Sequence, residues 1–123
     1  MLRVVIVDDD SSHCRAVARL LRASGMEVST FASAEEFLQR GAETDCLVLD
    51  IQLSGMSGFD LQTRLDAGGQ APPIVFLTAH EEPETIARAR RGGRAYVRKT
   101  DPAGVLLEAI RRAVTPHAVG GPA

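Results

Sequence analysis

The chain has 123 residues, of which 45% are apolar and 24% charged, and a formal net charge of −2. That is one domain, able to bury roughly two thirds of its unfolded surface without disulfide or metal staples, and it is not a disordered, collagen-like or low-complexity chain. Apolar runs such as residues 4–7 are too short for a membrane span or a signal peptide. The acidic balance, the single Tyr and the absence of Trp speak against direct binding of nucleic acid.

Residues 2–7 are a β-branched apolar run broken by Arg3, as in a buried parallel strand. Ser11 or Ser12 is placed to cap a helix. The apolar face of that helix carries Cys14, Val17, Ala18 and Leu21 at i, i+3, i+4, i+7, and Gly25 suits its end. Residues 28–32 read as a second strand. Ser33 and Glu36 have capping-box spacing and open a helix through Phe37 and Leu38. A third apolar run, residues 46–49, ends at Asp50. Gly55 and Gly58 mark a loop, and Phe59, Leu61 and Leu65 a helix after it. Residues 74–77 predict a fourth strand ending at Thr78. Pro83 suits the first position of a helix to Arg91, closed by Gly92 and Gly93. Residues 95–98 predict a fifth strand ending at Lys99. Asp101 and Pro102 read as N-cap and first residue of a last helix, with Val105, Leu106, Ala109, Ile110 and Ala113 on its apolar side. Five strand–helix repeats predict an α/β fold, a parallel sheet covered on both faces. The domain spans residues 1–114, and residues 115–123 read as a tail or linker stub.

Ligands of open α/β sheets sit at the carboxyl ends of the strands. Here strand 1 ends in Asp8, Asp9 and Asp10, strand 3 in Asp50, strand 4 in Thr78 and strand 5 in Lys99. Several carboxylates at one edge repel each other and call for a shared cation or raised pKa values. Oxygen donors favour a hard cation, Mg²⁺, with Mn²⁺ as the alternative. Lys99 is the only Lys among 14 basic residues, and a compact ammonium suits a phosphoryl oxygen. Asp50 is then the candidate nucleophile of an aspartyl-phosphate reaction. The cysteines, Cys14 and Cys46, lack metal-ligand spacing and read as small buried hydrophobes.

These segments, with Val5-Ile6-Val7-Asp8-Asp9-Asp10, Leu47-Val48-Leu49-Asp50, Gly55-Met56-Ser57-Gly58, Leu77-Thr78-Ala79 and Tyr96-Val97-Arg98-Lys99 in that order, resemble the receiver domain of two-component response regulators over about residues 2–114. In overall pattern they resemble the receivers of LuxR-type regulators. The resemblance implies a flavodoxin-like (βα)5 three-layer fold of strand order 2-1-3-4-5. It implies that Asp50 takes phosphate from a histidine kinase or phosphotransfer protein. The metal ligands would be Asp9, Asp8 largely through water, Asp50 and the backbone carbonyl of Gln52. Lys99 and Thr78 would meet the phosphoryl group, Ala79 would leave it room, and Tyr96 would change rotamer with it. The side chains of Gln52 and His80 would set the lifetime of the phosphorylated state. His13 and His117 read as ordinary surface residues.

The chain departs from the family pattern at Ser54 and Thr100, where prolines are usual. Ser54 predicts a looser loop. Thr100 predicts a trans bond after Lys99, since a cis bond costs about 2.5–4 kcal/mol before a non-proline against about 0.5–1 before Pro. Arg88, Arg90, Arg91, Arg94 and Arg98 form a basic cluster on the surface that the resemblance makes the output face. Expected partners are the phosphodonor and either a downstream protein or a removed output domain, with dimerisation on phosphorylation allowed, no direct nucleic acid and no membrane. The expected location is the cytoplasm. Self-phosphorylation and self-dephosphorylation at Asp50 are the only chemistry expected. An aspartyl-phosphate phosphatase would want a second Asp where Gln52 stands. A flavin or nucleotide domain would want a Gly-rich loop after strand 1. A degenerate receiver acting without phosphorylation is the remaining alternative.

Overall fold

Ten elements alternate along the chain. They are β1 (Arg3–Val7), α1 (Ser11–Ala23), β2 (Glu27–Phe31), α2 (Ala34–Arg40), β3 (Cys46–Asp50), α3 (Gly58–Ala67), β4 (Ile74–Thr78), α4 (Pro83–Arg91), β5 (Ala95–Arg98) and α5 (Ala103–Val114). The computed structural model describes residues 1–41, 43–69, 71–79, 82–91 and 95–115. His80, Gly92, Gly93, Arg94 and His117, which the sequence analysis singled out, and the rest of the tail beyond Thr115 lie outside the described residues. The strands form one parallel sheet in the order β2-β1-β3-β4-β5. This is the flavodoxin-like topology expected.

The sheet is buried on both faces because its central strands are apolar runs, residues 4–7, 46–49 and 74–77, with polar residues only at their ends. Alternate residues serve opposite layers. Val4 and Ile6 of β1 pack with Cys14, Val17, Ala18 and Leu21 of α1 and with Leu106 and Ile110 of α5. Val5 and Val7 pack with Phe37 of α2, Phe59 and Leu61 of α3 and Ala89 of α4. Both cysteines are buried among apolar neighbours in the first of these layers. No helix among the described residues is long and apolar enough to cross a membrane.

Four local expectations shift. Asp10, not Ser11 or Ser12, caps α1, its side chain accepting from the amides of Ser12 and His13. β2 begins at Glu27, opposite Arg3, and stops before Ala32, whose amide is taken by the Glu36 carboxylate at 3.1 Å. α5 starts at Ala103 with Pro102 as its N-cap, because Asp101 turns back to accept from the Arg98 amide at 3.0 Å. Val105, expected on the buried side of α5, is 42% exposed.

Candidate functional site

Strand register assembles the site. Val7 pairs with Leu49, so Asp8, the next residue, comes level with Asp50. Asp50 pairs with Leu77 of β4, and Thr78 with Arg98 of β5. Lys99 follows at once, and its amide donates to the Thr78 carbonyl at 2.8 Å. The chain thus delivers two acids, a hydroxyl and an ammonium to neighbouring positions on one edge.

The Lys99 ammonium donates to Asp50 Oδ2 at 2.9 Å and to Asp8 Oδ1 at 3.2 Å. Both carboxylates are buried, Asp50 at 3% and Asp8 at 1% exposure, whereas Asp9 is exposed. Carboxylate oxygens of Asp8, Asp9 and Asp50 lie within 4.8 Å of one another, a group that could hold a metal ion. Hard oxygen donors in this number suit a divalent cation that keeps part of its water.

Burial pushes Asp50 above the ordinary carboxylate value. Lys99 and the Gln52 amide, which donates to Oδ1 at 3.0 Å, offset this only in part. Burial acts on Asp8 in the same sense. There the Asp10 amide, His13 and Lys99 outweigh it, and Asp8 is held below the ordinary value. Burial would lower Lys99, but Asp50 and Asp8 hold its ammonium above the usual lysine value. Two neighbouring carboxyls are therefore pushed apart in acidity by their surroundings.

The surrounding loops fix these groups. Gly58 opens α3 so close to β3 that a Cβ there would lie 2.4 Å from the Asp50 carbonyl oxygen. Only glycine admits that approach. Ser57 caps α3 in a full capping box with Asp60. Ser54, which the sequence analysis expected to loosen its loop, bonds across to Asp9. Its amide and hydroxyl both donate to Asp9 Oδ2, each at 3.2 Å. The Met56 amide donates to Glu35 at 2.9 Å in the same loop. No peptide bond among the described residues is cis, so the bond between Lys99 and Thr100 is trans, as expected.

Thr78 is buried at the end of β4, with Ala79 exposed beside it. Gln52 is exposed two residues beyond Asp50. Tyr96 is packed against the α2–α4 layer. There the Arg90 guanidinium sits 5.5 Å from its ring centroid. Arg88 of the basic cluster likewise covers Phe59 at 4.4 Å. The sequence analysis missed His13. Expected on the open surface, it is half-buried, with Nδ1 2.8 Å from Asp8 Oδ2. The one available signal was its place in the first turn of a helix that starts beside a strand end.

Three acids and a lysine are thus gathered at the carboxyl edge of a 2-1-3-4-5 sheet, the arrangement of a phosphate-handling α/β domain. Residues 4–111 match the response regulator receiver domain, and the chain belongs to that family. It is 44% identical over 92 residues to nodulation protein W of Bradyrhizobium diazoefficiens, covering 73% of this chain and 40% of that protein. It is 34% identical over 114 residues to the response regulator protein TmoT of Ectopseudomonas mendocina, covering 90% and 52%. Among solved structures, the response regulator StyR superposes with a TM-score of 0.82 at 39% identity, covering 93% of this chain and 60% of that one. A receiver protein from Burkholderia phymatum superposes with a TM-score of 0.80 at 35% identity, covering 93% and 95%. The chain spans about half the length of the curated relatives it matches.

Proposed function

We propose that this domain is a phosphoacceptor in a two-component phosphorelay. An Asp50 carboxylate oxygen attacks the phosphorus of a phosphohistidine on a histidine kinase or phosphotransfer protein. The new O–P bond replaces the P–N bond, and the imidazole leaves. The observation that carries this reading is the convergence of Lys99 on Asp50 and Asp8 inside a pocket of three carboxylates.

Asp8, Asp9, Asp50 and the backbone carbonyl of Gln52 would hold Mg²⁺, or Mn²⁺ in its place. That ion supplies positive charge against the phosphoryl oxygens. Burial of Asp50 strips water from the nucleophile, and Lys99 follows charge from the carboxylate to the phosphoryl group. The Thr78 hydroxyl donates to that group, and Ala79 adds no bulk beside it. Tyr96, three residues before Lys99 on β5, carries the change to the surface of α4, β5 and α5. Gln52 and His80 set how long the phosphoryl group survives hydrolysis. The domain catalyses only its own phosphorylation and dephosphorylation. Relatives named as transcriptional regulatory proteins and about twice this length support a cytoplasmic chain whose residues 1–114 pass the signal to a further domain or a protein partner. No observation favours action without phosphorylation.

The test is intact mass after incubation with Mg²⁺ and acetyl phosphate. The wild-type chain should gain one phosphoryl group, and Asp50→Asn and an EDTA-treated sample should gain none. An adduct that survives in Asp50→Asn would place the acceptor elsewhere. If no adduct forms, a beryllofluoride titration decides: binding means rapid hydrolysis, and failure to bind overturns the reading.

A further inference from the structure

We infer that His13 is a positioning residue of the ion site, holding Asp8 in the orientation the cation needs. This rests on the ion-site reading above. The base of His13 is fixed, since its amide donates to the Asp10 cap at 3.1 Å. From there Nδ1 reaches Asp8 Oδ2 at 2.8 Å. A carboxylate only accepts, so Nδ1 carries the proton in this bond.

The division of labour on Asp8 makes the imidazole matter. Oδ1 accepts from the Asp10 amide at 2.9 Å and from Lys99 at 3.2 Å, whereas His13 is the donor the structure gives Oδ2. The Asp8 side chain is 0% exposed and that of His13 22%, so bulk water is poorly placed to substitute. Losing the imidazole leaves a buried carboxylate oxygen short of a donor.

Repulsion gives the bond its direction. With oxygens of three carboxylates within 4.8 Å, Asp8 lowers its energy by turning away from Asp9 and Asp50 unless something outside the group retains it. Lys99 cannot do this alone, because it is shared with Asp50. His13 retains Asp8 from the first turn of α1, an element apart from the three carboxylates. Partners of this kind, behind a metal ligand, are commonly worth about 10–100-fold in affinity.

The probe is Mn²⁺, with free ion read by electron paramagnetic resonance during titration. His13→Ala should weaken Mn²⁺ binding about 10-fold. His13→Asn, which restores a donor, should recover most of the loss. In an Asp8→Asn background, His13→Ala should change nothing further. A structural role alone would lower the thermal midpoint without this dependence on Asp8. Wild-type affinity in His13→Ala, or an equal loss in both backgrounds, overturns the inference while leaving the ion site standing. Failure of the wild-type chain to bind Mn²⁺ overturns the ion-site reading itself, and this inference with it. If His13→Ala does not fold, His13→Leu, which keeps bulk without a donor, takes its place: a loss confined to the wild-type Asp8 background supports a donor role, and wild-type affinity or equal losses in both Asp8 backgrounds refute it.

Discussion

Lys99 lies one residue beyond β5, and its ammonium is 2.9 Å from Asp50 Oδ2. It also serves Asp8, so one cation balances two buried acids. Lys99→Ala strips both. Breaking a buried pair costs about 3–5 kcal/mol, and the loss should fall near the lower end, because Asp50 can escape by taking up a proton. Urea denaturation at neutral pH measures this, and a variant as stable as the parent would refute the shared-cation account. Lys99→Arg should keep the fold but lose most phosphoryl uptake, since a planar fork does not replace a compact ammonium.

Gly58 and Gly104 should respond oppositely to alanine. At Gly58 the new Cβ meets the Asp50 carbonyl oxygen at 2.4 Å and the Ile51 Cα at 2.9 Å. Backbone cannot swing aside, so Gly58→Ala should cost about 1–3 kcal/mol and slow phosphorylation by displacing Asp50. At Gly104, within α5, a Cβ meets nothing within 4 Å. Gly104→Ala should therefore stabilise by about 0.5–1 kcal/mol. Thermal melts of both variants check the pair, and losses of equal size would show that close approach to β3 is not the cause.

Most of the fold was legible because each buried strand is an apolar run closed by one polar residue. The spacing of Cys14, Val17, Ala18 and Leu21 likewise gave the buried face of α1. What escaped were choices between adjacent hydrogen-bonding side chains. Asp10 outcompetes Ser11 as a cap, and Asp101 bonds Arg98 instead of capping α5. Nothing local ranks such neighbours. The carboxylates and Lys99 were legible as strand ends. His13 was not, because its partner precedes the helix, outside the i, i+4 pattern. Ser54 was read through the missing proline ring, while its amide and hydroxyl found Asp9.

Asp45 should give the stability an acid-side dependence. The Arg3 amide at 2.8 Å and the Arg3 side chain hold its carboxyl below the ordinary value. The unfolded chain therefore binds more protons than the folded one as pH falls through that window, and stability falls with it. The contribution is complete above the ordinary carboxylate value and lost on the way down to the depressed one. Asp45→Asn should be less stable than wild type near about pH 6, and the gap should close toward about pH 3. Denaturation curves across that span test it. A gap that stays constant would point to a pH-independent cause.

Arg88 covers the Phe59 ring at 4.4 Å, joining α4 to the first turn of α3. Arg88→Ala should cost about 0.5–1 kcal/mol, and Arg88→Lys less. A double-mutant cycle with Phe59→Leu isolates the pair. Additive losses would remove the contact from the account.

Asp8 and Lys99 are separated by 91 positions in sequence, and Asp50 and Lys99 by 49. On the ribosome the acids therefore emerge long before the ammonium that balances two of them. A nascent chain that ends short of β5 presents mutually repelling carboxylates with no lysine among them. The last strand to be made is thus the one that completes the site, and a truncated translation product cannot pass for a finished signalling domain.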